Sequence, residues 1–317
     1  MAKYRTRLPQ LDGGLFLTDG GLETTLIFHN GVDLPHFAAF DLLRTVEGRE
    51  MLRDYHRPYI EAAKANGYGF IIDGPTWRAS ADWGNKLGYS REALAAVNRD
   101  AVSMTLELRE AYETPAMPMV VSATLGPRGD GYAPGELMSA DEAQAYHAEQ
   151  IGVFADTDAD MLTAFTLTNV NEAIGIARAA KTTGMPVALS FTLETDGRLP
   201  TGDHLGDAIE AVDAATDGYP AYYMINCAHP THFEATLAAG GGWLKRLRGV
   251  RANASKRSHA ELNEAPDLDD GDPAELGVQY RTLVRRYPHI RIVGGCCGTD
   301  HRHIACIGSA CKGAAAS

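Results

Sequence analysis

Three of the five cysteines stand where apolar runs break off. Tyr222-Tyr223-Met224-Ile225-Asn226 leads into Cys227, and Ile290-Arg291-Ile292-Val293 leads into Gly294-Gly295-Cys296-Cys297-Gly298-Thr299-Asp300. Each run reads as a buried strand. Side chains alternate along a strand, so adjacent cysteines there point apart. Flanking glycines relax that constraint and let one turn carry both sulfurs to a single point. Two strand ends and three sulfurs predict a three-cysteine zinc site with one open position. Separately packed thiols, or a disulfide within the adjacent pair, are the alternatives.

Such a centre suits a particular reaction. A thiol attacks carbon only as the thiolate, yet a free thiol with a pKa of about 8.5 is mostly protonated at neutral pH. Zinc with an open position takes up such a sulfur and displaces its proton. Three cysteinates leave the centre negative and the incoming sulfur electron-rich, whereas neutral histidines would favour activation of water. The ligand set therefore predicts alkyl transfer to a thiol over hydrolysis. A negative centre also attracts a sulfonium or quaternary ammonium donor, whose charge is lost on transfer. Trp77 and the loop tyrosines are suited to cradle that cation.

Something must bring residue 227 to residues 296 and 297. Apolar runs at 15–18, 69–72, 117–122, 159–164, 187–191, 222–226, 247–252 and 290–293 read as strands, and helical patterns lie between them. Stretch 253–273 reads as a long polar loop. Eight strand-then-helix units predict an α/β protein, a single (β/α)8 TIM barrel over residues 1–317, with its site at the carboxyl ends of the strands. Asp19, Trp77, Cys227, Cys296 and Cys297 all fall at such ends. An open dinucleotide-binding sheet is disfavoured, because Asp19-Gly20-Gly21-Leu22-Glu23 lacks the G-x-G-x-x-G spacing.

The composition is that of an ordinary soluble globular protein. Of 317 residues, 45% are hydrophobic and 22% charged, which is enough apolar material for a large core. A formal net charge of −12 argues against nucleic acid or an anionic membrane as partner. No run is long enough to span a bilayer, and the start lacks a signal peptide's apolar core. An odd number of cysteines is no disulfide framework, so a cytoplasmic location, where thiolates stay reduced, is expected. The oligomeric state is left open, a homo-oligomer included.

Four stretches together resemble the homocysteine S-methyltransferase family: Thr18-Asp19-Gly20-Gly21-Leu22, Asn226-Cys227, Asp269-Asp270-Gly271-Asp272-Pro273 and Gly294-Gly295-Cys296-Cys297-Gly298-Thr299. The resemblance implies a barrel that moves a methyl group onto homocysteine, giving methionine, or onto a similar thiol. By it, Cys227, Cys296 and Cys297 are the catalytic zinc ligands. Asp19, with Gly20 beside it, helps to hold the amino-acid part of the acceptor, and Trp77 lines the substrate pocket. Asn226 either supports the metal site or satisfies backbone groups at its strand end. One departure stands out: Phe165 occupies the position where the family carries a glutamate that contacts the acceptor's amino group. Glu194 or Asp196, past the fifth strand, are candidates for the missing charge. The donor is not legible; S-methylmethionine, S-adenosylmethionine and betaine-like molecules all fit. A zinc-binding barrel without methyl transfer, for storage or as a partner protein, is the second reading, and a zinc hydrolase the third.

Overall fold

The computed structural model describes residues 1–265 and 267–313. Eight strands pair in parallel, in chain order, and the last closes on the first. They are β1 Phe16–Leu17, β2 Gly69–Asp73, β3 Met119–Leu125, β4 Met161–Leu167, β5 Val187–Thr192, β6 Tyr222–Asn226, β7 Leu247–Ala252 and β8 Ile292–Gly295. The helices are α1 Leu22–Thr24, α2 Val46–Asn66, α3 Ala81–Lys86, α4 Arg91–Tyr112, α5 Ala140–Ala155, α6 Val170–Thr183, α7 Leu205–Thr216, α8 Pro230–Ala239, α9 His259–Glu264, α10 Pro273–Arg286 and α11 His301–Cys311. The fold is the (β/α)8 barrel that the alternating pattern predicts. Among the described residues no helix is long and apolar enough to cross a membrane.

The period of two along each strand sorts the core into two layers. Phe16, Ile71, Val120, Met161, Met224 and Ile292 fill the barrel's interior. Their neighbours Leu17, Ile72, Val121, Leu162, Ile225 and Val293 face the helices, against Tyr59, Ile176, Ile209, Phe233 and Ile304. Each fully buried aliphatic side chain contributes about 2 kcal/mol. The same alternation sends Asp73, Phe165, Asn226 and Arg251 inward at the carboxyl ends, above this packed floor.

Two elements differ from the sequence pattern. β4 runs to Leu167, with its register broken between Ala164 and Leu167, so Phe165 lies within the strand. Stretch 253–273 is not all loop, because α9 forms inside it. Ser258 and Glu261 close a capping box at its start, and that spacing is visible in the sequence. Pro266 of that stretch, and residues 314–317 of the expected domain, lie outside the described residues.

Candidate metal and acceptor site

The three predicted sulfurs meet. The Sγ atoms of Cys227, Cys296 and Cys297 lie within 4.8 Å of one another. Cys227 and Cys296 are joined as a disulfide, and the Sγ of Cys297 is 3.9 Å from that of Cys227. The end of β7 ties the two halves together: Arg251 O accepts from Cys227 N at 3.1 Å, and Ala252 O accepts from Cys296 N at 2.9 Å. Beyond Gly295 the chain leaves strand geometry for a turn, closed by Thr299 Oγ1 donating to Cys296 O at 2.7 Å. That turn lets adjacent cysteines share one side. Gly298 sits in it at φ +78°, and a side chain on Gly294 would fall on Thr18 Oγ1, so β1 and β8 touch backbone to side chain.

Asn226 bridges the ends of β4, β5 and β6. Its Oδ1 accepts from Thr166 N at 2.9 Å and from Ser190 Oγ at 2.6 Å, and its Nδ2 donates to Thr166 Oγ1 at 2.9 Å. The same amide nitrogen is 3.9 Å from Cys296 Sγ. Thr166 and Cys227 both have positive φ, 61° and 52°. For a β-branched threonine this is a strained conformation, and it persists because Asn226 grips both its backbone and its hydroxyl. The strain lies where β4 breaks register, beside the sulfurs.

Asp19, at the end of β1, is 4% exposed. Its Oδ1 takes the Nη2 of Arg251, and Tyr55 Oη donates to its Oδ2 at 2.9 Å. Arg251 also donates to Asp73 Oδ2 at 2.6 Å, to Gly295 O at 2.9 Å and to Gly20 O at 3.1 Å. Burial opposes charge on Arg251, but Asp19 and Asp73 outweigh it and raise its pKa. One guanidinium between two acids leaves an excess carboxylate, and burial pushes Asp73 up to about 7. The Arg251 guanidinium stands 4.8 Å from the centre of the Phe165 ring. Trp77 joins this wall, its Nε1 donating to Phe165 O at 3.5 Å.

A loop after β3 covers the sulfurs. Tyr132 Oη lies 3.1 Å from Cys297 Sγ and 3.5 Å from Cys227 Sγ. Burial pushes the Cys297 thiol up, and the hydrogen bond from Tyr132 works against that. The Tyr132 ring packs on His259 with centroids 4.3 Å apart, and His259 Nε2 meets Cys227 O. Glu194 Oε1 is 3.5 Å from His259 Nδ1, so this carboxylate lies beside His259. Asp196 is held by its own loop, accepting from Arg198 N at 3.0 Å. His229, which neighbours Cys227 in sequence, caps α8.

The cysteine trio is the one group of three or more candidate metal ligands among the described residues. Three sulfurs with no nitrogen or carboxylate among them form a soft donor set, which fits a thiophilic metal. The disulfide and a bound metal exclude one another, so the metal form requires the Cys227–Cys296 pair to be reduced.

Comparison with known proteins agrees with this geometry. The chain is 25% identical over 320 residues to selenocysteine Se-methyltransferase of Brassica oleracea var. italica, covering 93% of this chain and 88% of the relative. It is 25% identical over 283 residues to betaine–homocysteine S-methyltransferase 1 of Rattus norvegicus, covering 83% of this chain and 64% of that protein. Among solved structures, the oxidized form of the homocysteine methyltransferase MmuM from Escherichia coli superposes with a TM-score of 0.73 at 25% identity, covering 93% of this chain and 95% of the other. The profile of the homocysteine S-methyltransferase family matches residues 16–311, and the chain belongs to that family.

Proposed function

We propose that this barrel is a zinc-dependent S-methyltransferase, moving a methyl group from a cationic sulfonium or ammonium donor to the thiol of homocysteine or a similar thiol. The observation that carries the reading is the convergence of Cys227, Cys296 and Cys297 from two strand ends 69 residues apart. When bound by these cysteinates, zinc acidifies an acceptor thiol and keeps its sulfur nucleophilic.

The chain's own residues supply the rest. The acceptor sulfur attacks the methyl carbon as a new C–S bond forms; the donor's C–S or C–N bond breaks, its electron pair staying on the neutral leaving group. The thiol proton passes to solvent as the acceptor sulfur binds. Tyr132 lies over the cluster, donating to Cys227 Sγ at 3.5 Å with Cys297 Sγ 3.1 Å away. Trp77 and Phe165 form an aromatic wall beside the cluster, with Arg78 and Arg251 held against their rings. Asn226 fixes the β4 and β6 ends so that Cys296 and Cys227 keep their places. The reaction belongs in a reducing compartment, the cytoplasm, where the cysteines stay thiolates.

The test is reconstitution of reduced protein with zinc, followed by assays pairing homocysteine with S-methylmethionine, S-adenosylmethionine and betaine. The reading predicts retained zinc and methionine formed with one donor, both lost in Cys227→Ser. Retained zinc with no thiol methylated by any donor favours a binding protein instead.

A further inference from the structure

Cys227 ends β6 and Cys296–Cys297 follow β8, yet these strands do not pair; β7 lies between them. The sulfurs meet only if β7 holds both ends in register. Two planar peptide units do this. The unit joining Arg251 to Ala252 accepts from Cys227 N at 3.1 Å and donates to Tyr280 Oη at 2.8 Å. The unit joining Gly295 to Cys296 donates to Ala252 O at 2.9 Å, and its carbonyl accepts from Arg251 Nε at 2.9 Å. The second clamp depends on the Arg251 side chain.

That side chain reaches further. β1 is two residues long, and β8 ends in Gly294 and Gly295, which offer no side chain to hold the seam between them. The guanidinium spans this gap from β7. Its Nη2 takes Asp19 Oδ1 and donates to Gly20 O at 3.1 Å, while Nη1 donates to Asp73 Oδ2 at 2.6 Å. The same group stands 4.8 Å from the centre of the Phe165 ring. One buried residue thus grips the ends of β8, β1 and β2 together. Only a planar fork of five donors serves acceptors spread in this way; a lysine ammonium is a compact point charge with three.

We propose that Arg251 is the positioning residue of the metal site. Its guanidinium fixes the peptide that leads into Cys296 and so holds the Cys296–Cys297 pair within reach of Cys227. The proposal rests on the three-cysteine metal site of the methyl-transfer reading and deepens it, assigning the spacing of the ligands to a side chain outside the ligand set.

The experiment takes two readouts on reduced protein: zinc affinity by competition with a chelator, and the visible spectrum after loading with cobalt(II). The sulfur-to-cobalt charge-transfer and d–d bands report thiolate number and tetrahedral geometry. Arg251→Lys keeps a charge between Asp19 and Asp73 but loses the fork. Arg251→Ala opens a space that free guanidinium fills at sub-denaturing concentration, with ammonium as its control. Arg248→Ala removes an arginine from the other end of β7, where it donates to His289 O at 3.5 Å. Zinc affinity is expected to fall at least about tenfold in both Arg251 variants. Their cobalt bands weaken, guanidinium but not ammonium restores Arg251→Ala, and Arg248→Ala matches the wild type. Wild-type affinity and spectrum in Arg251→Lys, an equal loss in Arg248→Ala, a loss that guanidinium leaves unrepaired, or unfolding of both Arg251 variants overturns the assignment. A wild type that holds zinc on three sulfurs yet methylates no thiol removes the methyl-transfer reading and leaves Arg251 in its role. One that captures no metal at the cysteines removes both.

Discussion

Tyr132 places its hydroxyl 3.1 Å from the sulfur of Cys297, across 165 residues of sequence. The loop that carries it packs its glycines on Trp77: a side chain on Gly126 would lie 2.8 Å from the indole nitrogen, and one on Gly131 would lie 3.1 Å from the ring. The lid over the sulfurs and the wall of the pocket are thus one packing unit. Tyr132→Phe keeps the ring on His259 and removes only the donor. It is expected to weaken zinc binding or activity by about tenfold, measured by competition with a chelator and by steady-state rate. Full retention of both would make the hydroxyl a bystander.

Asn226 is spent on the backbone of β4 and on Ser190 as well as on Cys296. Asn226→Ala leaves Thr166 N and Ser190 Oγ without their buried acceptor and frees a strained φ. A loss of about 2–3 kcal/mol in urea unfolding is expected, with lower zinc affinity. A stability change below the error of the measurement would contradict this.

Gly294 has no room for a Cβ, since Thr18 Oγ1 occupies its place. Gly294→Ala forces β1 away from β8 at the seam that closes the barrel, at a cost of about 2 kcal/mol or more. Thermal unfolding reads this out directly. Gly218→Ala at φ +65°, in open space, controls for backbone strain alone.

His56 lies buried on α2, with neither ring nitrogen partnered among the described residues. Burial holds its pKa down at about 4, against 6.5 for an ordinary histidine. Between those values the unfolded chain binds the extra proton, so stability falls as pH drops from 6.5 towards 4. The slope from this one group is at most about 1.4 kcal/mol per pH unit. His56→Leu should flatten the pH dependence of unfolding in that window, and an unchanged slope would assign the acid sensitivity elsewhere.

The Cys227–Cys296 disulfide gives a further expectation. Oxidized protein should take up no zinc, and treatment with a phosphine reductant should restore binding. Metal uptake unaffected by oxidation would place the site elsewhere.

The barrel is legible in the sequence because apolar runs recur at eight places with helical patterns between them, a local signal weakened most at 247–252, where two arginines interrupt it. The cysteine trio was legible for the same reason, each sulfur standing at the end of such a run. Tyr132 was not, because its Gly- and Pro-rich loop has no periodicity and its position depends on packing against Trp77. Arg251 reads as a polar residue within the run 247–252; only closure of the sheet sets it beside Asp19, 232 residues away in sequence. His259 lies inside a polar stretch with no apolar periodicity, although the Ser258–Glu261 spacing marks the helix that carries it.

The most direct test of the central claim is X-ray absorption at the zinc edge of the reduced, zinc-reconstituted protein. Three sulfur neighbours at about 2.3 Å are predicted, with a spectral change on adding homocysteine and loss of one sulfur in Cys227→Ser. A shell dominated by nitrogen or oxygen, or one that Cys227→Ser leaves intact, would contradict the account.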